Sequence, residues 1–209
     1  MKNIQIINKL VLTLLLIVTT LSCVNDDEIT ISPYPREALF KETFDDATNN
    51  TDLNSTGWTN FSQAGTKKWR EKTFSGNGYA DFSAFQSNEA SNVGWLITPK
   101  IETKGYESYL FAFSTAKYFL DVDSDANTIT AYYSTNYDGI NVANANWVKI
   151  EPLNIPKKAA DNYAFLTSRF VFPMSGNIHF AFKYVGNGLP NSTLDGGFQI
   201  DNVYVYGLK

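Results

Sequence analysis

Two carboxylates occupy positions where the pattern asks for apolar residues. Glu42 alternates with Phe40 and Phe44, and Asp201 alternates with Val203 and Val205. On strands, successive side chains take opposite faces, so each acid points where its apolar neighbours are buried. An ionised carboxylate buried without a partner costs several kcal/mol. The first and last strands of a sandwich commonly pair, which would bring the two acids together. Two arrangements satisfy them. One is a shared structural calcium ion, which takes carboxylate and backbone oxygens. The other is a pair of half-exposed strand ends at which both acids accept backbone N–H bonds.

Other chemistry is sparsely provided. The single histidine, His179, shares the more polar face of its strand with Lys183 and reads as a solvated residue. Residues 121–127 (DVDSDAN) begin like a calcium-binding EF-hand loop, but Ala126 stands where Gly is needed and Tyr132 where the closing Glu is needed. That segment reads as an acidic hairpin loop. No zinc-ligand spacing, phosphate-binding glycine loop or Gly-x-Ser-x-Gly elbow is present. A hydrolase using two of the 21 carboxylates is the competing class, yet no pair is singled out by its spacing. The expectation is therefore a protein that binds without catalysing.

Aromatic residues make up 15% of the chain, more than a core of this size requires. Tyr and Trp can stack on sugar rings while hydrogen-bonding at their edges. Trp58 and Trp69 lie in segments rich in Gly, Asn, Ser, Thr and Lys, and Tyr132 and Tyr137 flank a turn. These four are the ligand-binding candidates. Trp95, on a clean apolar face, reads as core.

Cys23 is the only cysteine. It follows an apolar run, Leu10 to Leu21, preceded by Lys2 and Lys9 and closed by the small Ser22. A positive start, a short apolar middle and a small residue at the cut describe a secretory signal peptide over 1–22, and the run is too short to span a bilayer. The site resembles the lipobox of bacterial lipoproteins, in a looser form with Thr20 three positions before the cysteine. The following Asp26-Asp27-Glu28 resembles the acidic export signal of Bacteroidetes surface lipoproteins. That resemblance implies a thiol acylated at Cys23, anchorage in the outer membrane and display on the cell surface. Residues 23–37, with Pro33 and Pro35, read as a flexible tether, and 38–209 as one domain. The net charge is −4, and −6 once Lys2 and Lys9 leave with the peptide. An acidic chain without a basic stripe argues against nucleic-acid partners.

The elements that must position these residues are strands. From Ala38 onward the chain is rich in Phe, Tyr, Val, Ile and Thr, cut by Gly, Asn and Asp. Strand patterns occupy 95–101, 109–113, 128–135, 162–172 and 177–185, the last with Ile178, Phe180, Phe182 and Tyr184 on one face. Turn signals at Ser75-Gly76-Asn77-Gly78, Asp138-Gly139 and Gly186-Asn187-Gly188 separate strands. The expected fold is an all-β, antiparallel β-sandwich.

An ordered series of short motifs narrows this. It runs Phe40-Lys41-Glu42-Thr43-Phe44, Gly57-Trp58, Trp69, 94–101 (GWLITPKI), 109–113 (YLFAF), 133–139 (YSTNYDG), Trp147, 175–178 (SGNI), 181–186 (AFKYVG) and 198–203 (FQIDNV). The series resembles the choice-of-anchor J domain and the related cleaved-adhesin domains of Bacteroidetes surface proteins. The resemblance implies a jelly-roll sandwich, similar to carbohydrate-binding modules. It also implies a surface-displayed adhesion or binding role, with a glycan or a surface protein as partner. A structural subunit of an outer-membrane complex is the alternative it leaves open.

Overall fold

The computed structural model describes residues 37–208. The expected signal peptide, Cys23 and the expected tether up to residue 36 lie outside the described residues. Thirteen strands follow in order: β1 Glu37–Glu42, β2 Thr51–Asp52, β3 Thr59–Ala64, β4 Arg70–Phe74, β5 Asn77–Phe82, β6 Asn92–Ile97 and β7 Ile101–Thr103. Then come β8 Ser108–Tyr118, β9 Thr128–Ser134, β10 Val148–Lys149, β11 Leu166–Phe172, β12 Gly176–Gly186 and β13 Gly197–Leu208. The one helical piece among the described residues is a 3-10 turn at Val142–Asn144. No helix among them is long and apolar enough to cross a membrane.

The strands form two antiparallel sheets, a β-sandwich of the jelly-roll kind. The seven-stranded sheet has the order β11-β8-β13-β5-β4-β2, with β1 also paired to β13. The six-stranded sheet has the order β10-β9-β12-β6-β3, with β7 also paired to β12. Between them lies a core of aromatic pairs that cross from sheet to sheet. Phe111 on β8 stacks on Phe180 of β12 at 3.8 Å, Phe113 meets Phe182 edge-on at 4.9 Å, and Phe82 of β5 stacks on Tyr184 at 4.4 Å. Removing one such ring leaves a cavity and costs about 3–5 kcal/mol. The period-two pattern of 177–185 is the cause: Phe180, Phe182 and Tyr184 all point inward.

Local chemistry sets the strand ends. Ser75 and Gly76 both take positive φ, 51° and 84°, which makes a tight two-residue turn whose twist suits the β4–β5 hairpin. The strand expected over 162–172 begins only at Leu166, because Tyr163 is left-handed with φ 66° and its N–H turns to the carbonyl of Lys117. The run expected over 95–101 divides into β6 and β7, with Thr98-Pro99-Lys100 between them.

One expectation about faces is refined and one corrected. Trp95 is buried, as expected of a core residue, in a second apolar cluster on the outside of the six-stranded sheet. Leu96 enters the main core, while Trp95 and Ile97 pair with Lys183 and Ala181 on the opposite face and are covered by Tyr137 and Val142. Asp201 does not share a face with Val203 and Val205. Asn202, at φ 53°, inserts a bulge, and the register against β8 shifts between Asp201 and Tyr204. Ile200 and Val203 both reach the core, so Asp201 turns away from it.

Candidate functional site

The outer face of the seven-stranded sheet carries a cross-strand row in which Arg70 of β4 pairs with Asp81 of β5, Asp81 with Gln199 of β13, and Gln199 with Ala116 of β8. Arg70 and Asp81 of this row line a groove of about 970 Å³, and Gln199 lies beneath it, bonded to Asp81. Tyr118 closes one side. It pairs with Gly197, and a Cβ at Gly197 would fall 2.1 Å from Cζ of the tyrosine ring. Glycine is required there because the ring lies across β13. Its hydroxyl donates to Oδ2 of Asp81 at 3.0 Å, and Nε2 of Gln199 donates to Oδ1 at 3.3 Å.

The electrostatics follow from this enclosure. Asp81 is 7% exposed. Burial pushes its carboxyl above the usual carboxylate range, while the two hydrogen bonds pull in the other direction. Burial, and then the charge of Asp81, raises the Tyr118 hydroxyl, so Tyr118 stays protonated and remains the donor. Both oxygens of Asp81 are held by neutral donors. The geometry suits a fixed acceptor on a groove floor.

The rim is aromatic and exposed. Phe85 and Phe119, which line the groove, are 56% and 66% exposed, and Tyr163, outside the lining but against the Tyr118 ring, is 51% exposed. Tyr163 stacks on Tyr118 at 5.3 Å and meets Phe119 edge-on at 6.2 Å. Phe119 and Tyr163 both sit at positive φ, 49° and 66°, a costly conformation for bulky residues. Oδ1 of Asn162 accepts from the Phe119 N–H at 3.1 Å and from Nζ of Lys117 at 2.8 Å, and the Tyr163 N–H donates to the Lys117 carbonyl. Asn50, Gln86 and Asn191, which also line the groove, are left-handed as well. Of the nine left-handed non-glycine residues among those described, four line this depression and Tyr163 stacks on its wall.

The sequence-derived candidates lie elsewhere. Trp69 is fully buried: its ring meets Phe82 at 5.4 Å and its Nε1 donates to the carbonyl of Gly94. It cannot stack on a ligand, and the polarity of its surroundings reflects neighbours that alternate outward. Trp58 is half-buried against Phe40 and Phe44, with Nε1 donating to Glu42 at 3.1 Å. Tyr132 packs on Trp95 at 5.3 Å, and Tyr137 is buried against Trp147 and His179. The two tyrosines belong to the apolar cluster on the outer face of the six-stranded sheet, and the two tryptophans to the main core and its edge. None lines the groove.

His179 is likewise corrected. Tyr137 covers it at 5.0 Å, it is 8% exposed, and its Nδ1 lies 2.9 Å from the Thr98 carbonyl. Burial lowers its pKa. The segment 121–127 is a loop closed by a Ser124–Asn127 bridge, as its residues suggest.

Glu42 and Asp201 flank the bulge, with Glu42 paired to Val203. All four carboxylate oxygens have protein donors. Glu42 accepts from the Phe44 N–H and from Trp58, and Asp201 accepts from Asn77 and from the Asn202 N–H at 2.6 Å. No group of three acidic, histidine or cysteine residues among the described residues is spaced to hold a metal ion.

The chain matches no family model and no curated protein. Among solved structures it is similar to the K3 cleaved adhesin domain of Lys-gingipain from Porphyromonas gingivalis W83. That match has a TM-score of 0.52 and 14% identity, over 82% of this chain and 99% of that domain. The K1 cleaved adhesin domain of the same protein gives 0.51 and 17%, over 81% and 98%. The K2 domain gives 0.52 and 12%, over 81% and 98%. At these identities the likeness is one of fold.

Proposed function

We propose that this domain is a non-catalytic binding module that takes a glycan in the groove on its seven-stranded sheet. The observation that carries the reading is the pair Phe119 and Tyr163, two exposed rings on left-handed backbone beside a polar floor. Aromatic faces beside fixed hydrogen-bonding groups match the alternating apolar and hydroxyl surfaces of sugar rings. The shared fold with domains named cleaved adhesins supports adhesion in general, and the motif series supports the choice-of-anchor J relationship. A glycan array with the purified domain tests the proposal. Binding without turnover supports it. Turnover of a bound glycan would make the domain a hydrolase, and silence on the array with capture of a surface protein would move the partner class to protein.

The same reading takes the chain to be an outer-membrane lipoprotein displayed outside the cell through Cys23. Metabolic labelling with a fatty acid should mark the protein and fail on Cys23→Ala. Label persisting on that variant would remove the anchor.

Calcium at Glu42 and Asp201 is a proposal of the same kind. Burial raises the Asp201 carboxyl, and the nearby charges of Asp45 and Glu42 add to the shift, a field that a cation would relieve. An ion would have to share oxygens that already accept four hydrogen bonds. Calcium should raise the melting temperature by mass action, and Asp201→Asn should abolish the gain. A melting temperature indifferent to calcium and chelator would remove the site.

A further inference from the structure

The groove has a charged wall whose partners are incomplete. Lys68, Arg70 and Lys72 follow one another at every second position on the groove side, while the intervening Trp69 enters the core and Glu71 accepts from the Thr48 and Asn54 amides. Along β4, Arg70 and Lys72 stand about 7 Å apart. Lys67 adds a fourth cation to the same lining. Among the described residues, only Arg70 of these four has a carboxylate within ion-pair distance, Asp52 at 3.3 Å. Nζ of Lys67 donates to the Phe85 carbonyl and that of Lys72 to Oδ1 of Asn50, neutral hydrogen-bond partners, while the nearby carboxylates act on these cations only through space. Nε of Arg70 is shielded from solvent and has no hydrogen-bond acceptor. Burial, followed by the charge of Arg70, lowers the Lys67 pKa, and the charges of Asp81 and Glu89 oppose the shift. The expectation of no basic stripe is thus corrected: in a chain of net charge −4, Lys67, Lys68, Arg70 and Lys72 line one wall of the groove.

Resting on the reading of the groove as a glycan site, we propose that its ligand is an acidic glycan. Its carboxylate or sulfate groups lie along the Lys68–Lys72 wall, and its rings lie on Phe119 and Tyr163. The groove's acids account for the rest of the ligand. Asp81 on the floor, and Asp121 and Asp195 in the lining, are acceptors for hydroxyl groups. A sugar chain has hydroxyls to offer them. A DNA strand carries a phosphate at every unit and no backbone hydroxyl, so the same acids would repel it. A cation wall flanked by exposed rings is partly desolvated, which strengthens its pull on an anion relative to open solvent.

The test is calorimetric titration of the domain with oligogalacturonate and with its fully methyl-esterified form, which keeps the rings and removes the charge. Dextran sulfate and dextran form a second pair, which separates sulfate from carboxylate as the group recognised. The charged member of at least one pair should bind at least about tenfold tighter than its neutral counterpart, with affinity falling as salt rises. The double variant Lys68→Gln/Lys72→Gln should lose about tenfold toward that member, with its fold intact by circular dichroism. Equal binding of charged and neutral members, lost on replacing Phe119 and Tyr163 by alanine, would overturn the charge inference and leave the groove standing as a glycan site. Failure of every glycan to bind would overturn both. Tighter binding of an oligothymidylate than of any glycan would overturn the ligand class.

Discussion

The hydroxyl of Tyr118 donates to Oδ2 of Asp81 at 3.0 Å, reaching across β13 at Gly197, where there is no side chain to block it. Three strands must be in register for this bond to form. β8 supplies the donor, β5 the acceptor and β13 the gap. The floor of the groove is thus a direct product of sheet pairing, and Tyr163 stacks on the same tyrosine while Phe119 meets it edge-on.

Gly197→Ala should destabilise the domain by about 1–3 kcal/mol, because the new methyl group overlaps the Tyr118 ring. Tyr118→Phe should cost a similar amount, by removing a donor from a buried carboxylate. Urea denaturation measures both. A Gly197→Ala protein as stable as the parent would show that the ring does not lie across the strand.

Asp81 gives stability a defined pH dependence. Its folded pKa is raised by burial, so the folded state holds that proton more tightly than the unfolded state does. Its contribution is therefore lost as pH rises from the unfolded carboxyl range, near 4, through the raised folded value. Asp201 is shifted in the same direction, also led by burial. The gain in stability on going from pH 7 toward about 4.5 should be smaller in Asp81→Asn than in the parent. Identical pH profiles by chemical denaturation would mean that Asp81 is not desolvated.

His179 works in the opposite direction. Burial lowers its folded pKa, so the unfolded state binds the proton more tightly. Its contribution is present above about pH 6.5, the unfolded value, and is lost as pH falls toward the depressed folded value. In His179→Asn, which keeps a donor for the Thr98 carbonyl, stability should fall less than in the parent over that window. Thermal melts across the window compare the two.

The sandwich was legible in residues 177–185 because β12 is flanked on both sides, by β9 and β6, and buries one whole face. Period two survives intact under those conditions. Trp95 has the same pattern for a different reason: its cover is the segment carrying Tyr137 and Val142, and nothing local to β6 says whether an apolar face meets the other sheet or a loop. Asp201 was placed on the wrong face by one inserted residue, since a bulge reverses every later side chain. The groove was illegible. Its floor joins Asp81 to residues 37 and 118 positions away, and its rim depends on backbone conformations at Phe119 and Tyr163 that their residue types disfavour. A usable signal was Phe119 itself, an apolar residue followed by an acidic loop where the strand pattern ends.

The central claim is that ligand meets the outer face of the seven-stranded sheet, and a paired alanine substitution tests it most directly. Titration of a bound glycan should show affinity falling about tenfold or more in Phe119→Ala/Tyr163→Ala, whose rings are exposed. It should be nearly unchanged in Tyr132→Ala, on the other sheet. Retained affinity in the first variant, with loss in the second, would contradict the account and move the site to the six-stranded sheet.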